Sequence, residues 1–411
     1  MPVMLLLKRL AGLGSASVAN IGLTAVLSLV LAKILTSEDF GITRTVTAYL
    51  IGLSMLGHFA IHDALSSFVA KTLVHTEVKL YFSAATLLVT LISNLFSFVF
   101  GLIIFYSGFW SEGLENALYS ICFTLPFVSL TLVYNASLQA TGSYKAFAGI
   151  TLMSSLLPLL IIVPYAYWFK LNGWILGRII TALLLFILSW LTVRHSFDHK
   201  FWNAQLPPKL RDLWGYARIQ IISGILSLVM LSADVVLLEW FTHDLVIVAN
   251  YGLASLFVKA GAIFSATLGR LYFKELAQVT PHGDGTKIVR RFLLLNVLAG
   301  LVISLLIAFI APWLIERIYA EDFLAAESLL IDMCMGGVFL YLFSGLSVIN
   351  VAQGFTRIAA SMSLICAVCG ILLLMFCVPT WQGAGTVWSM NITYCLGCIS
   401  GVYFLAKKGM L

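Results

Sequence analysis

The chain reads as an all-α, polytopic membrane protein with about 12 transmembrane helices. They are expected in two six-helix bundles related by a pseudo-two-fold axis along the membrane normal. Three observations predict this. The 411 residues are 61% hydrophobic and 10% charged, with a mean hydropathy of +1.01. A water-soluble domain of that size cannot hide so much apolar side chain. Apolar runs long enough to span a bilayer recur from end to end. Lys and Arg fall almost entirely on alternate connections between those runs.

The runs centre on Ser15–Leu35, Val46–Val69, Phe82–Tyr106, Leu118–Leu138, Ala146–Phe169, Ile175–Val193, Tyr216–Leu238, Val246–Leu268, Phe292–Leu314, Leu329–Val348, Ile358–Val378 and Thr386–Leu405. Each is close to the roughly 20 residues that cross the hydrocarbon layer. The first follows Lys8 and Arg9, shows no cleavage site, and is expected to stay as the first helix.

Charge tests the count. With the N-terminus inside, the inner connections collect Lys and Arg from Lys8 and Arg9 through Lys145, Lys209, Arg291 and Arg357 to Lys407 and Lys408. The outer side holds only Lys33, Arg44, Lys170, Arg178 and Arg317. One helix more or fewer would invert half of the chain and erase that asymmetry. Both termini are therefore expected on the cytoplasmic side.

The longest inner connection, RHSFDHKFWNAQLPPKLRDLWGYAR (Arg194–Arg218), falls at the midpoint. It divides the chain into a first bundle (residues 1–200), a basic cytoplasmic linker (201–215) and a second bundle (216–411). Its basic and aromatic residues either lie on the anionic inner leaflet or simply follow the positive-inside rule. The halves are faintly alike. LQATGSYK (Leu138–Lys145) follows the fourth run and NVAQGFTR (Asn350–Arg357) follows the tenth. LTSEDFG (Leu35–Gly41) stands in the first half where FTHD (Phe241–Asp244) stands in the second. Six helices per half give both repeats the same orientation, with a cavity expected between them.

The pairs Cys366/Cys369 and Cys395/Cys398 have metal-like spacing but fall inside apolar runs. There they read as small packing residues, and no metal is expected.

The stretches VLSLVLAKILTSEDFGITRTVTAYLIGL (Val26–Leu53), SLQATGSYKAF (Ser137–Phe147), ADVVLLEWFTHDLVIVANYGLASLF (Ala233–Phe257) and APWLIERIYAEDFLAAESLL (Ala311–Leu330) carry a family pattern. In them the chain resembles the Wzx family of polysaccharide flippases, of the MOP superfamily that includes the MATE drug exporters and the lipid II flippase MurJ. VANY (Val248–Tyr251) departs from the Gly that the family usually places before this Tyr. The resemblance implies a flippase in the bacterial inner membrane. Its cargo would be an undecaprenyl-pyrophosphate-linked oligosaccharide, an O-antigen or similar repeat unit of lipopolysaccharide biosynthesis. It implies no cofactor beyond an H+ or Na+ gradient. The partners implied are the lipid-linked glycan, membrane lipids, and a polysaccharide polymerase with its chain-length regulator, but no nucleic acid.

Buried charge is where such a protein would hold its cargo. Lys259 lies mid-run, roughly 20 and 14 Å of helix from the two ends, so its side chain, about 6 Å long, reaches neither interface. A central Lys costs roughly 2.5–3.5 kcal/mol, which demands a wet cavity or an acidic partner. It either contacts the pyrophosphate or forms an ion pair with Asp63 or Asp234. Lys33, Arg44 and Arg178 either extend a cationic track for the pyrophosphate or snorkel outward. His58 and His62, one helical turn apart beside Asp63, form a candidate proton-sensitive cluster or a polar helix contact. Asp234, about one turn from the outer end of its run, is a candidate gate or counter-ion, or merely an interfacial group. Asn20, Asn94, Asn250 and Asn296 either meet sugar hydroxyls or join helices.

Two rival classes are distinguishable. Glu38-Asp39 has the look of the acidic motif of glycosyltransferases that use lipid-linked sugars. TSED is read instead as a helix N-cap, with acids near the positive helix end, and the sizeable external loops that such enzymes need are not predicted here. A MATE-like multidrug or cation antiporter would want buried carboxylates, whereas an anionic lipid wants a buried cation such as Lys259.

Overall fold

The computed structural model describes residues 19–20, 22–71, 75–194, 206–279, 286–319, 323–353 and 355–411. Lys8, Arg9, the start of the first run, Lys200 and residues 201–205 of the linker lie outside them. All regular structure among the described residues is helical. The helices are α1 (Gly22–Ile34), α2 (Ser37–His58), α3 (Ile61–Lys71), α4 (His75–Ser107), α5 (Glu112–Ala140), α6 (Tyr144–Val193), α7 (Leu206–Thr242), α8 (Leu245–Ala277), α9 (Thr286–Tyr319), α10 (Leu324–Ala352) and α11 (Thr356–Lys407).

Two of these are too long for one pass. At 1.5 Å per residue, α6 with 50 residues and α11 with 52 would each run roughly 75 Å. Each instead reverses at a single residue of positive φ, Lys170 (φ 51°) and Gln382 (φ 48°). The reversals need glycine beside them. A Cβ on Gly173 would collide with the carbonyl of Tyr165, and one on Gly385 with that of Cys377. Further from the turns, Gly177 faces Ile162, Gly397 faces Cys366 and Gly401 faces Met362. So α6 and α11 are antiparallel helical hairpins.

With each hairpin counted twice and α2–α3 counted as one pass bent by 49°, the described residues form twelve helical passes. Seven helices are apolar and long enough to cross a membrane, eight with the bent pair. Their burial divides them. In α9 the most apolar window is 17% buried, and in α5 it is 61% buried. Helices such as α4 and α9 turn side chains like Phe98, Phe105 and Phe309 outward, as lipid-facing helices do.

The chain divides into two compact units. One holds residues up to Leu35 and Val46–Leu228; the other holds Thr36–Thr45 and Val229–Leu411. The first has a core of Ile61, Leu65, Phe82, Val89, Val133, Tyr134 and Leu213. The second has a core of Leu276, Phe292, Leu346, Met362 and Leu405. Small residues let helices of the second unit approach closely: Gly261 and Gly300 both abut Tyr341, whose hydroxyl donates to the Val258 carbonyl at 2.9 Å.

The two units repeat the same plan. Helices α5 and α10 each have 29 residues. Ala140 and Ala352, Lys170 and Gln382, and Gly173 and Gly385 correspond at one constant offset along the chain. The paired motifs at Leu138–Lys145 and Asn350–Arg357 are helix stops. The Ser143 N–H donates back to the Leu138 carbonyl, and the Phe355 N–H donates back to that of Asn350. In the first copy Gly142 takes φ 74° to close the motif. The other paired motif comprises helix starts. The Thr36 hydroxyl accepts the Asp39 N–H at 3.1 Å, and the Asp244 carboxylate accepts those of Val246 and Ile247. Glu38 and Asp39 therefore stand in the first turn of α2 as capping acids.

Candidate functional site

The site lies inside the second unit, and three helices supply its charged groups. Asp234, on α7, has a fully buried side chain. Its Oδ2 accepts the Tyr251 hydroxyl at 2.6 Å and the Lys259 ammonium at 3.0 Å. Its Oδ1 accepts the Val235 N–H at 2.9 Å. Tyr251, Ser255 and Lys259 follow at i, i+4 and i+8 along α8, so they form one stripe.

The third contributor is the opening of α2, which belongs to this unit. Gly41 approaches the Leu245 carbonyl too closely for any side chain. This seats the first turns of α2 along α8 and brings Arg44 over Gly252. Arg44 interacts electrostatically with Asp234 and Tyr251. Its Nε is buried without a hydrogen-bond partner among the described residues. One carboxylate thus serves two cations, and the cluster keeps a net positive charge.

Of the two cations, Lys259 faces a cavity, and Arg44 stands behind its lining. Asp234, Tyr251, Ser255, Lys259, Asn391 and Tyr394 line the cavity, with Met333, Met390, Gly336 and Gly337, around a small, partly open space. The Lys259 side chain is 38% exposed while its Asp partner is 0% exposed. An ammonium has three donors. One is spent on Asp234, and the partly exposed group lines an opening that also offers hydroxyl and amide groups. Such a pocket can take an anion with polar substituents.

The sequence candidates separate into two groups. Lys259, Asp234 and Arg44 come together; of the two acids the sequence offered to Lys259, Asp234 is its partner. Lys33, Arg178, His58, His62 and Asp63 belong to the other unit. Lys33 is exposed. Arg178 is buried at 9% exposure, with its guanidinium 4.9 Å from the Trp174 ring centre. The His pair corrects a sequence expectation. Phe59 and Ala60, with φ of 49° and 54°, break the helix between His58 and His62. The two rings still meet edge to face at 4.3 Å, and His62 lies 3.3 Å from Asp63. Their contact is made by a bend and not by one continuous helical face.

The Asn residues resolve individually. Asn20 donates to the Thr151 carbonyl and Asn296 accepts from Ser265, so both join helices. Asn94 and Asn250 donate to carbonyls of their own helices. Cys366 packs on Gly397, and Cys398 bonds the Phe339 carbonyl, both as helix contacts. Sequence reading missed Tyr251, Ser255, Asn391 and Tyr394. The four-residue spacing on α8 could have revealed the first two; nothing local marks the others.

The fold has clear relatives among solved structures. "Lipid II flippase MurJ, inward closed conformation" superposes with a TM-score of 0.78 at 14% identity, covering 96% of this chain and 87% of that one. A mutant form of the Vibrio cholerae MATE transporter VcmN gives 0.64 at 15% identity, covering 98% of each. The eukaryotic MATE transporter AtDTX14 gives 0.66 at 13% identity, covering 97% and 95%. No curated protein sequence matches. The sequence profile of polysaccharide biosynthesis proteins, however, matches residues 6–272, a stretch that contains Arg44, Asp234 and Lys259. This chain, built on the fold of the MurJ and MATE transporters, belongs to the polysaccharide biosynthesis protein family.

Proposed function

We propose that this protein flips undecaprenyl-pyrophosphate-linked oligosaccharide, an O-antigen or similar repeat unit, from the inner to the outer leaflet of the bacterial inner membrane. It works by alternating access, with both termini cytoplasmic and no covalent step. The observation that carries this reading is the cluster of Lys259 and Arg44 around the single carboxylate of Asp234. A pyrophosphate is an anion that hydrocarbon cannot solvate. The half-exposed ammonium offers it charged donors, and the polar groups of the same cavity suit sugar hydroxyls. The polyprenyl tail needs no site and stays in lipid.

The MATE-like antiporter is the second reading, because MATE transporters share the fold, although they superpose less well than the lipid II flippase. It calls for a carboxylate open to an organic cation. Asp234 is closed off behind Lys259 and Tyr251, which argues for the anion. The deciding experiment replaces Lys259 with Gln and with Arg in cells lacking their own flippase. Export of lipid-linked oligosaccharide is then measured at matched membrane levels. Loss with Gln and retention with Arg is the expected result. Normal export with Gln removes the basis for the anionic cargo.

A further inference from the structure

One buried acid takes no part in the cluster described above. Glu239 lies on α7 five residues beyond Asp234 and three before the helix end at Thr242. Ser232, Val235 and Glu239 share the inward stripe of α7, each 3% exposed, and the next residues, Trp240 and Phe241, stack on each other on the outside. Leu would suit that inward position. Glu239 has instead a carboxyl whose Oε2 is buried without a hydrogen-bond partner, and it enters no ion pair among the described residues.

Charged groups near it in the chain or in the same unit are engaged elsewhere or exposed. Asp234 is held by Tyr251 and Lys259, and Arg44 acts on Asp234 and Tyr251. Asp244 caps α8, and His243 is exposed. Arg317 is exposed and stacks over Trp313. Among the described residues, no Lys, Arg or His side chain forms an ion pair with the Glu239 carboxyl.

An ionised carboxylate without a partner in an apolar surround is too costly to persist, and a bound proton is the smallest thing that removes the charge. We infer that Glu239 is a proton-binding site, filled while the residue is buried and emptied when the outer end of α7 is opened to water. The assignment of the proton stands on burial and the missing partner. Only its place in a cycle rests on the transport reading.

The test is infrared pH-difference spectroscopy on the purified full chain in lipid nanodiscs, with no glycan present. The wild type is expected to lose a protonated-carboxyl C=O stretch between acidic and alkaline pH, and Glu239→Gln to lack that loss. Glu239→Asp, which keeps the acid, should restore a shifted band and guards against a misfolded Gln variant. Superimposable difference spectra for the wild type and Glu239→Gln would overturn the inference. Export assays on the same variants report separately on the cycle. A proton band at Glu239 with normal Glu239→Gln export would keep the site and remove it from transport.

Discussion

Gly252 lies flat beneath the Arg44 side chain: a Cβ at that position would stand 2.8 Å from Arg44 Cγ and 3.0 Å from its Nε. The Arg44 side chain lies across α8, where its charge acts on Asp234, because α8 offers no side chain there. Gly252→Ala is therefore expected to displace Arg44 while leaving the fold intact. The flexible Arg can yield, so the stability cost should stay near the low end of the ~1–3 kcal/mol range for overpacking. Export at matched membrane levels should fall as it does for Arg44→Gln. Full export in Gly252→Ala would show that the Arg44 position is unimportant.

The Lys259–Asp234 pair should show strong coupling. Removing only the ammonium leaves the buried carboxylate to Tyr251 and Arg44, and because Lys259 is partly exposed the cost should fall below the roughly 3–5 kcal/mol of breaking a fully buried pair. Thermal melting should place Lys259→Gln well below the wild type, and the Asp234→Asn/Lys259→Gln double variant above the single Lys259 variant. The double variant should nonetheless fail to export. Recovery of export together with stability would mean that the pair is structural.

Tyr251 donates to the same carboxylate at 2.6 Å. A hydrogen bond to a charged group contributes about 1.5–3 kcal/mol. Tyr251→Phe should lose about that much in denaturation measurements. Its loss should nearly vanish in the Asp234→Asn background, because the charge it serves is gone.

The bend between α2 and α3 makes an opposite prediction. Ala60 holds φ 54°, a conformation that an L-residue with a Cβ enters at a cost. Ala60→Gly should raise stability by about 1 kcal/mol although it puts Gly inside a membrane helix. A lower melting temperature would mean that the Ala60 methyl, 8% exposed in its core, contributes more than the backbone relief.

How far the sequence could be read depended on the range of the signal. Apolar length and alternating charge mark the passes, because each pass must satisfy the bilayer by itself. Leu138–Lys145 and Asn350–Arg357 were legible as a repeat because a helix stop is local chemistry. Lys259 stood out because a mid-run ammonium requires an explanation. Its partner did not: Asp234 and Asp63 look equivalent in sequence, and only the packing of α7 on α8 separates them. Glu239 escaped notice because it sits beside Trp240 and Phe241 near a helix end, where an acid ordinarily reaches water. The break between His58 and His62 has no Gly or Pro to announce it.

The hairpins of α6 and α11 have a consequence for what can approach the protein from outside the bilayer. At each reversal a single residue outside helical geometry joins two membrane passes, flanked by Tyr167, Trp168 and Phe169 in one case and Trp381 in the other, all more than half exposed. Aromatic rings of this kind settle at headgroup depth. An antibody or a protease arriving at these turns would find rings buried among lipids and almost no loop to grip. Epitope tags or cleavage sites meant to report topology would have to lengthen Lys170 or Gln382, the two points that hold the hairpins closed.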